Sequence, residues 1–81
     1  MYSLEFSKPA NRFFQKLPRE GQLMIVRKLE EMRGNPFHFL RRLKGNKFWR
    51  LRVGDYRAVV DVVVSGNKIV VLRIGHRRNV Y

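Results

Sequence analysis

The sequence predicts an α+β domain, a helical hairpin packed on one face of an antiparallel sheet, in the order β-α-α-β-β-β. Three observations carry that prediction. Between residues 10 and 32 apolar side chains recur every three or four positions, and from about residue 47 they recur every second position. The length of 81 residues is that of one domain, expected to span 1–81. A chain this small buries only about 60–65% of its unfolded surface, so the core is expected to be thin.

Tyr2 to Phe6 alternates as a short strand, with Tyr2, Leu4 and Phe6 on one face. Ser7 offers a helix N-cap, and Pro9 is tolerated in the first turn, where amides lack intrahelical partners. Ala10, Phe13, Phe14 and Leu17 follow at i, i+3, i+4 and i+7, the stripe of a helix lying on a core, and Pro18 stops it. A second helix is expected from about Arg19 to Arg33, with Gln22, Ile25, Val26, Leu29 and Met32 inward. Gly34 suits the left-handed position after its end, and Pro36 forbids continuation. Trp49, Leu51 and Val53 then alternate with Phe48, Arg50 and Arg52. Gly54-Asp55 is a two-residue turn with glycine first, suited to type II′. Tyr56 to Val64 is the next strand, Ser65-Gly66-Asn67 a turn, and Lys68 to Gly75 the last strand.

Charge says more about partners. Eighteen Lys and Arg against six Asp and Glu give a net charge of +12, which points to a polyanion. The excess is uneven: residues 1–40 carry seven basic and four acidic side chains, and residues 41–81 carry eleven and two. From Arg50 onward the basic residues are Arg50, Arg52, Arg57, Arg73, Arg77 and Arg78 against Lys68 alone. Arginine binds phosphate oxygens bidentately and stacks on bases, whereas lysine acts as a point charge, so the bias favours nucleic acid. No apolar run approaches the ~20 residues of a membrane span, and Met1 to Glu5 does not read as a secretory leader. Zero cysteines exclude a disulfide scaffold, a thiolate metal site and a cysteine nucleophile. A cytoplasmic location is the expectation, with no membrane partner.

Side-chain parity sharpens the expectation. If Gly54-Asp55 closes a hairpin, Val53 faces Tyr56 and Arg52 faces Arg57. Trp49, Leu51, Val53, Tyr56, Ala58, Val60, Val62 and Val64 then share the face under the helices. Arg50, Arg52, Arg57, Val59 and Asp61 share the other. Arg73 fits either face by spacing and, being charged, belongs on the open one. A single arginine on a solvent-facing sheet is ordinary. Several opposed across strands are not, because like charges there destabilise a sheet, and the cluster reads as a phosphate site. In the tail, His76, Arg77, Arg78 and Tyr81 add an imidazole, two guanidiniums and a ring, a combination suited to unpaired RNA. His38, between Phe37 and Phe39, reads as structural. Two histidines without cysteine make no metal motif.

Leu43-Lys44-Gly45, Trp49-Arg50-Leu51-Arg52-Val53-Gly54-Asp55-Tyr56-Arg57, Ile74-Gly75-His76-Arg77 and Tyr81 together resemble the RelE/ParE toxin superfamily, and most nearly the short RelE-type mRNA interferases. The resemblance covers the whole chain and implies the RelE-like fold. It implies the toxin of a type II toxin–antitoxin system, a ribosome-dependent endoribonuclease that cuts mRNA in the A site and needs no cofactor or metal. It further implies a RelB-like acidic antitoxin, and a toxin–antitoxin complex that binds operator DNA. By position, Arg50 and Arg52 match two basic residues that the best-known members supply as lysines. Arg57 matches the arginine after the family tyrosine, Arg77 that of the tail, and Tyr81 the base-stacking tyrosine.

The implied chemistry is attack of a ribose 2′-OH on the adjacent phosphate, with Arg57 and Arg77 stabilising the developing charge and Tyr81 holding the base or the 2′-OH. Arginine at position 52 is a poor proton acceptor. Histidine is the residue type that exchanges protons near neutrality, so His76 is the candidate acid or base. Arg41, Arg42, Lys44, Lys47, Arg73 and Arg78 are expected to bind RNA beside that centre. Two alternatives stand beside the interferase: a ParE-like inhibitor of DNA gyrase, against which the arginine-rich face argues, and an RNA- or ribosome-binding domain without catalysis.

Overall fold

The computed structural model describes residues 1–76. Strand β1 (Ser3–Phe6) leads into helix α1 (Lys8–Gln15), and α2 (Arg19–Met32) returns over the sheet. A single 3-10 turn at Pro36–His38 precedes β2 (Arg41–Arg42), β3 (Trp49–Val53), β4 (Tyr56–Val63) and β5 (Lys68–His76). Ser7 makes the first corner. Its Oγ accepts from the Ala10 N–H (3.1 Å), capping α1, and donates to the Leu72 carbonyl (2.6 Å). Its own N–H donates to the Val71 carbonyl (2.9 Å), so one residue ties helix start to β5.

The sheet order is β1-β5-β4-β3-β2. The expected meander is present, with Val53 opposite Tyr56 and Arg52 opposite Arg57. Gly54 has φ +57° and Asp55 is not among the described residues of positive φ, as a type II′ turn requires. Two features depart from the expectation. The sheet is mixed rather than purely antiparallel, because β1 lies parallel beside β5, Ser3 opposite Lys68 and Phe6 opposite Val71. Turn chemistry reveals only hairpin neighbours, whereas β1 reaches its partner through the helical hairpin. The short strand β2 is also added, Arg41 opposite Arg50 and Arg42 opposite Trp49.

The core lies between the helices and one sheet face: Ala10, Ile25, Leu29 and Met32 from above, Leu51, Val53, Ala58, Val60, Ile69, Val71 and Ile74 from below. Tyr2, Leu4, Phe6, Phe13, Phe14 and Leu17 pack around it, as their spacing predicts. Val26 does not. It is 41% exposed, because the inward stripe of α2 runs through Gly21, Ile25, Leu29 and Met32 and leaves position 26 to one side. Gln22 reaches inward only to donate from Nε2 to the Phe14 carbonyl (2.9 Å). Gly34 is not left-handed. Arg33 closes the helix instead, its carbonyl accepting from the Tyr2 N–H (3.0 Å) and its Nε donating to the Tyr2 carbonyl (2.8 Å). Val64 falls past the end of β4 and is 63% exposed in the turn. No helix among the described residues is long and apolar enough to cross a membrane.

β5 carries a bulge. Val59 pairs with Arg73 and Val60 with Val71, so Leu72 is the extra residue. Side-chain parity inverts there. Ile69 and Val71 face the core before it and Ile74 after it, which leaves Arg73 on the open face.

Candidate nucleic-acid interface

The open face is ordered in rows across the strands. One row reads Arg52, Arg57, Gly75 and the next Arg41, Arg50, Val59, Arg73. Two pairs of arginines are therefore direct cross-strand neighbours, Arg52 with Arg57 and Arg41 with Arg50. Gly75 stands beyond Arg57 and adds no side chain. Arg41, Arg50, Arg52 and Arg57 line a pocket of about 280 Å³, walled at one side by Phe39. Three of these arginines are exposed, and Arg57 is half-buried.

Among the described residues no carboxylate lines this pocket. The ion pairs among the described residues join Lys28 to Glu31, Arg33 to Glu30 and Lys68 to Glu5. Arg41, Arg50 and Arg52 have no ion-pair partner among those residues. Asp61 is on the same face but pairs with Val70, one row beyond Val59. Arg33 shows the contrast: its guanidinium serves the fold, bound to Glu30 (2.9 Å) and to the Tyr2 carbonyl. Four guanidinium forks around one cavity are chemically suited to phosphate, whose oxygens arginine meets bidentately.

His76 is not part of this pocket, a correction to its expected role there. It pairs with Tyr56, on the helix-covered face. Its ring stands 5.3 Å from that of Tyr56 and 5.9 Å from that of Phe13. The cause is the bulge at Leu72, which fixes the parity of every later residue of β5. Arg42 is likewise on the far side, its guanidinium 4.8 Å from the Trp49 ring centre. Arg41, by contrast, lies within the pocket. Arg77, Arg78 and Tyr81 lie outside the described residues.

Beside the pocket is a second concavity, of about 440 Å³, lined by Leu43, Lys44, Asn46, Phe48, Val59, Leu72 and Arg73. The β2–β3 loop builds its wall. The Leu43 N–H donates to the Phe48 carbonyl (3.1 Å), Gly45 turns the chain at φ +72°, and the Phe48 N–H donates to Asn46 Oδ1 (2.8 Å). Lys47 holds its ammonium 5.4 Å from the Phe48 ring centre. Val59, although on the open face, is thereby only 8% exposed. Phe39, Phe48, Leu43 and Leu72 were not expected in the site. The alternation of Phe48 with Trp49 was the signal for one of them; the others depend on β2 and on the bulge.

The family model for the ParE toxin of type II toxin–antitoxin systems matches residues 4–81. A search of curated proteins returns no significant match. Among solved structures, the toxin–antitoxin complex RelBE2 of Mycobacterium tuberculosis superposes with a TM-score of 0.83 at 24% identity, over 94% of this chain and 98% of that one. The archaeal RelE–RelB complex of Pyrococcus horikoshii OT3 gives 0.82 at 22% identity, over 98% of each chain. The intact E. coli RelBE complex gives 0.79 at 25% identity, over 94% of this chain and 96% of that one.

Proposed function

The chain belongs to the ParE toxin family of type II toxin–antitoxin systems, within the RelE/ParE superfamily, and from that premise and its arginine pocket we propose that it is an mRNA interferase. Its substrate is message held in the ribosomal A site. The observation that supports this reading is the convergence of Arg41, Arg50, Arg52 and Arg57 on one cavity.

The 2′-oxygen of a ribose attacks the adjacent phosphorus, and the 5′-oxygen of the next nucleotide leaves. The products are a 2′,3′-cyclic phosphate and a 5′-hydroxyl. Negative charge accumulates on the non-bridging oxygens in the transition state, and preorganised guanidiniums stabilise it there. Arg57, half-buried between Arg52 and Gly75, is best placed to meet those oxygens, and Arg77 of the tail joins it. Tyr81 holds the flanking base or the attacking hydroxyl. The 2′-OH gives up its proton as it attacks and the leaving 5′-oxygen takes one up; His76, paired with Tyr56, stands on the face of the sheet opposite the arginines.

A RelB-like antitoxin of acidic character neutralises the toxin, as suits a net charge of +12, and the complex of the two binds operator DNA.

Programmed ribosomes with purified protein test the reading, message cuts being mapped by primer extension. Wild type cuts within the A-site codon, and Arg57→Ala cuts about 10²–10³-fold more slowly, the loss expected of one transition-state donor. Growth arrest on induction should vanish with Arg57→Ala and Arg77→Ala while unfolding curves remain cooperative. Folded variants that stay toxic would rule the proposal out. The family description favours a second reading, a ParE-like inhibitor of gyrase; trapped DNA breaks without message cuts would select it.

A further inference from the structure

We propose that the concavity beside the arginine pocket is a nucleobase subsite, which takes the base attached to the nucleotide whose phosphate the arginines hold. This rests on the reading of the open face as an RNA-binding surface and adds to it a place where base identity is sensed.

Four observations lead there. The first is position. Val59, which lines the concavity, is the cross-strand neighbour of Arg50, which lines the pocket, so the two lie side by side along one row. Adjacent strands are about 4.8 Å apart, and a base held next to its own phosphate spans a distance of that order. The second is lining. Leu43, Phe48, Val59 and Leu72 form an apolar floor with one aromatic ring, while Lys44, Asn46 and Arg73 supply polar groups at the rim. Stacking on a ring with hydrogen-bond donors at the edge is how proteins hold unpaired bases. Asn46 Oδ1 is occupied by the Phe48 N–H, which turns the amide nitrogen into the group left to donate.

The third observation is construction. The β5 bulge brings consecutive residues, Leu72 and Arg73, to the same concavity, which a regular strand cannot do. Ser7 clamps that bulge, its Oγ donating to the Leu72 carbonyl and its N–H to the Val71 carbonyl. The fourth is charge. Among the described residues no carboxylate lines the concavity, and Lys44 and Arg73 beside the four pocket arginines suit a ligand whose apolar ring carries a phosphate.

The test separates base from backbone. Binding of a single-stranded RNA hexamer is compared with that of a hexamer of the same phosphate number lacking bases at its central positions, for wild type, Phe48→Leu and Phe48→Tyr. Leucine keeps the cavity filled and removes the stacking surface; tyrosine keeps both. Wild type should bind the complete hexamer at least about fivefold more tightly than the abasic one, the low end of what an aromatic platform contributes per base. Phe48→Leu should abolish most of that ratio, and Phe48→Tyr should retain it. Equal binding of the two RNAs by wild type would overturn the subsite, leaving the concavity to a protein side chain, even if ribosome-bound message is still cut. A ratio that Phe48→Leu does not change would overturn it as well. A base-dependent ratio that obeys Phe48, in a protein that cuts no message, keeps the subsite and sinks the nuclease reading.

Discussion

The two faces of the sheet obey different rules. Under the helices Leu51, Val53, Ala58, Val60, Ile69, Val71 and Ile74 form one buried cluster with Ile25, Leu29 and Met32, and composition follows burial. On the open face two rows oppose arginine to arginine, Arg52 to Arg57 and Arg41 to Arg50, and like charges directly opposed weaken a sheet. The helix-covered face is optimised for the folded state alone. The open face gathers positive charge instead, with Arg41, Arg50, Arg52 and Arg57 around one cavity and Lys44 and Arg73 at the next. Substitutions on the two faces should therefore separate stability from activity, and urea unfolding is the measurement that tells them apart.

The largest effect is expected from Leu51→Ala, which empties a fully buried position beneath α2. A loss of about 2–5 kcal/mol is the usual range for such a deletion, enough to unfold much of a domain this small. An unfolding midpoint near that of wild type would break the contrast. Gly21→Ala comes next. A Cβ there would meet Tyr56 Oη at 2.6 Å and two ring carbons at 3.2 and 3.3 Å, so the Tyr56 side chain or the helix must shift, at a cost of about 1–3 kcal/mol. Adding Tyr56→Phe removes the nearest atom and should recover most of the loss; a double variant as unstable as the single one would place the strain elsewhere.

Ser7→Ala removes the α1 cap and the Oγ half of the clamp on the bulge, with an expected loss of about 1–2 kcal/mol. Amide exchange should speed up around Leu72 as well as in the first turn of α1; acceleration confined to α1 would show that the bulge holds without the clamp. The smallest shift, of opposite sign, belongs to the open face. Arg52→Thr and Arg50→Thr each relieve a like-charge pair and should raise stability by roughly 0.2–1 kcal/mol while weakening RNA binding. A fall in stability would mean that these arginines serve the fold, as Arg33 does.

Much of this was legible before any coordinates. Gly54-Asp55 set the hairpin register, and with it the facing of Arg50, Arg52 and Arg57, because side chains alternate strictly once a two-residue turn is placed. Ser7 announced the start of α1. Other features were hidden for reasons that can be named. Val26 was assigned inward because a helical stripe read from sequence is broader than the surface the sheet offers it. Arg41 joined the pocket only through β2, two residues too short to show a period. His76 is a candidate by its chemistry alone, and its facing has no local signature: Leu72 becomes the extra residue only when β4 fixes Val60 against Val71.

What the chain determined by itself was local: which segments coil or extend, where they turn, and how much positive charge gathers after residue 40. These follow from backbone preferences and side-chain periodicity, which act over a few residues. What only tertiary structure decided was which side chains meet. The parallel seat of β1, the addition of β2 and the Ser7-clamped bulge depend on partners far along the chain, and those contacts sort the arginines and His76 onto opposite faces of one sheet.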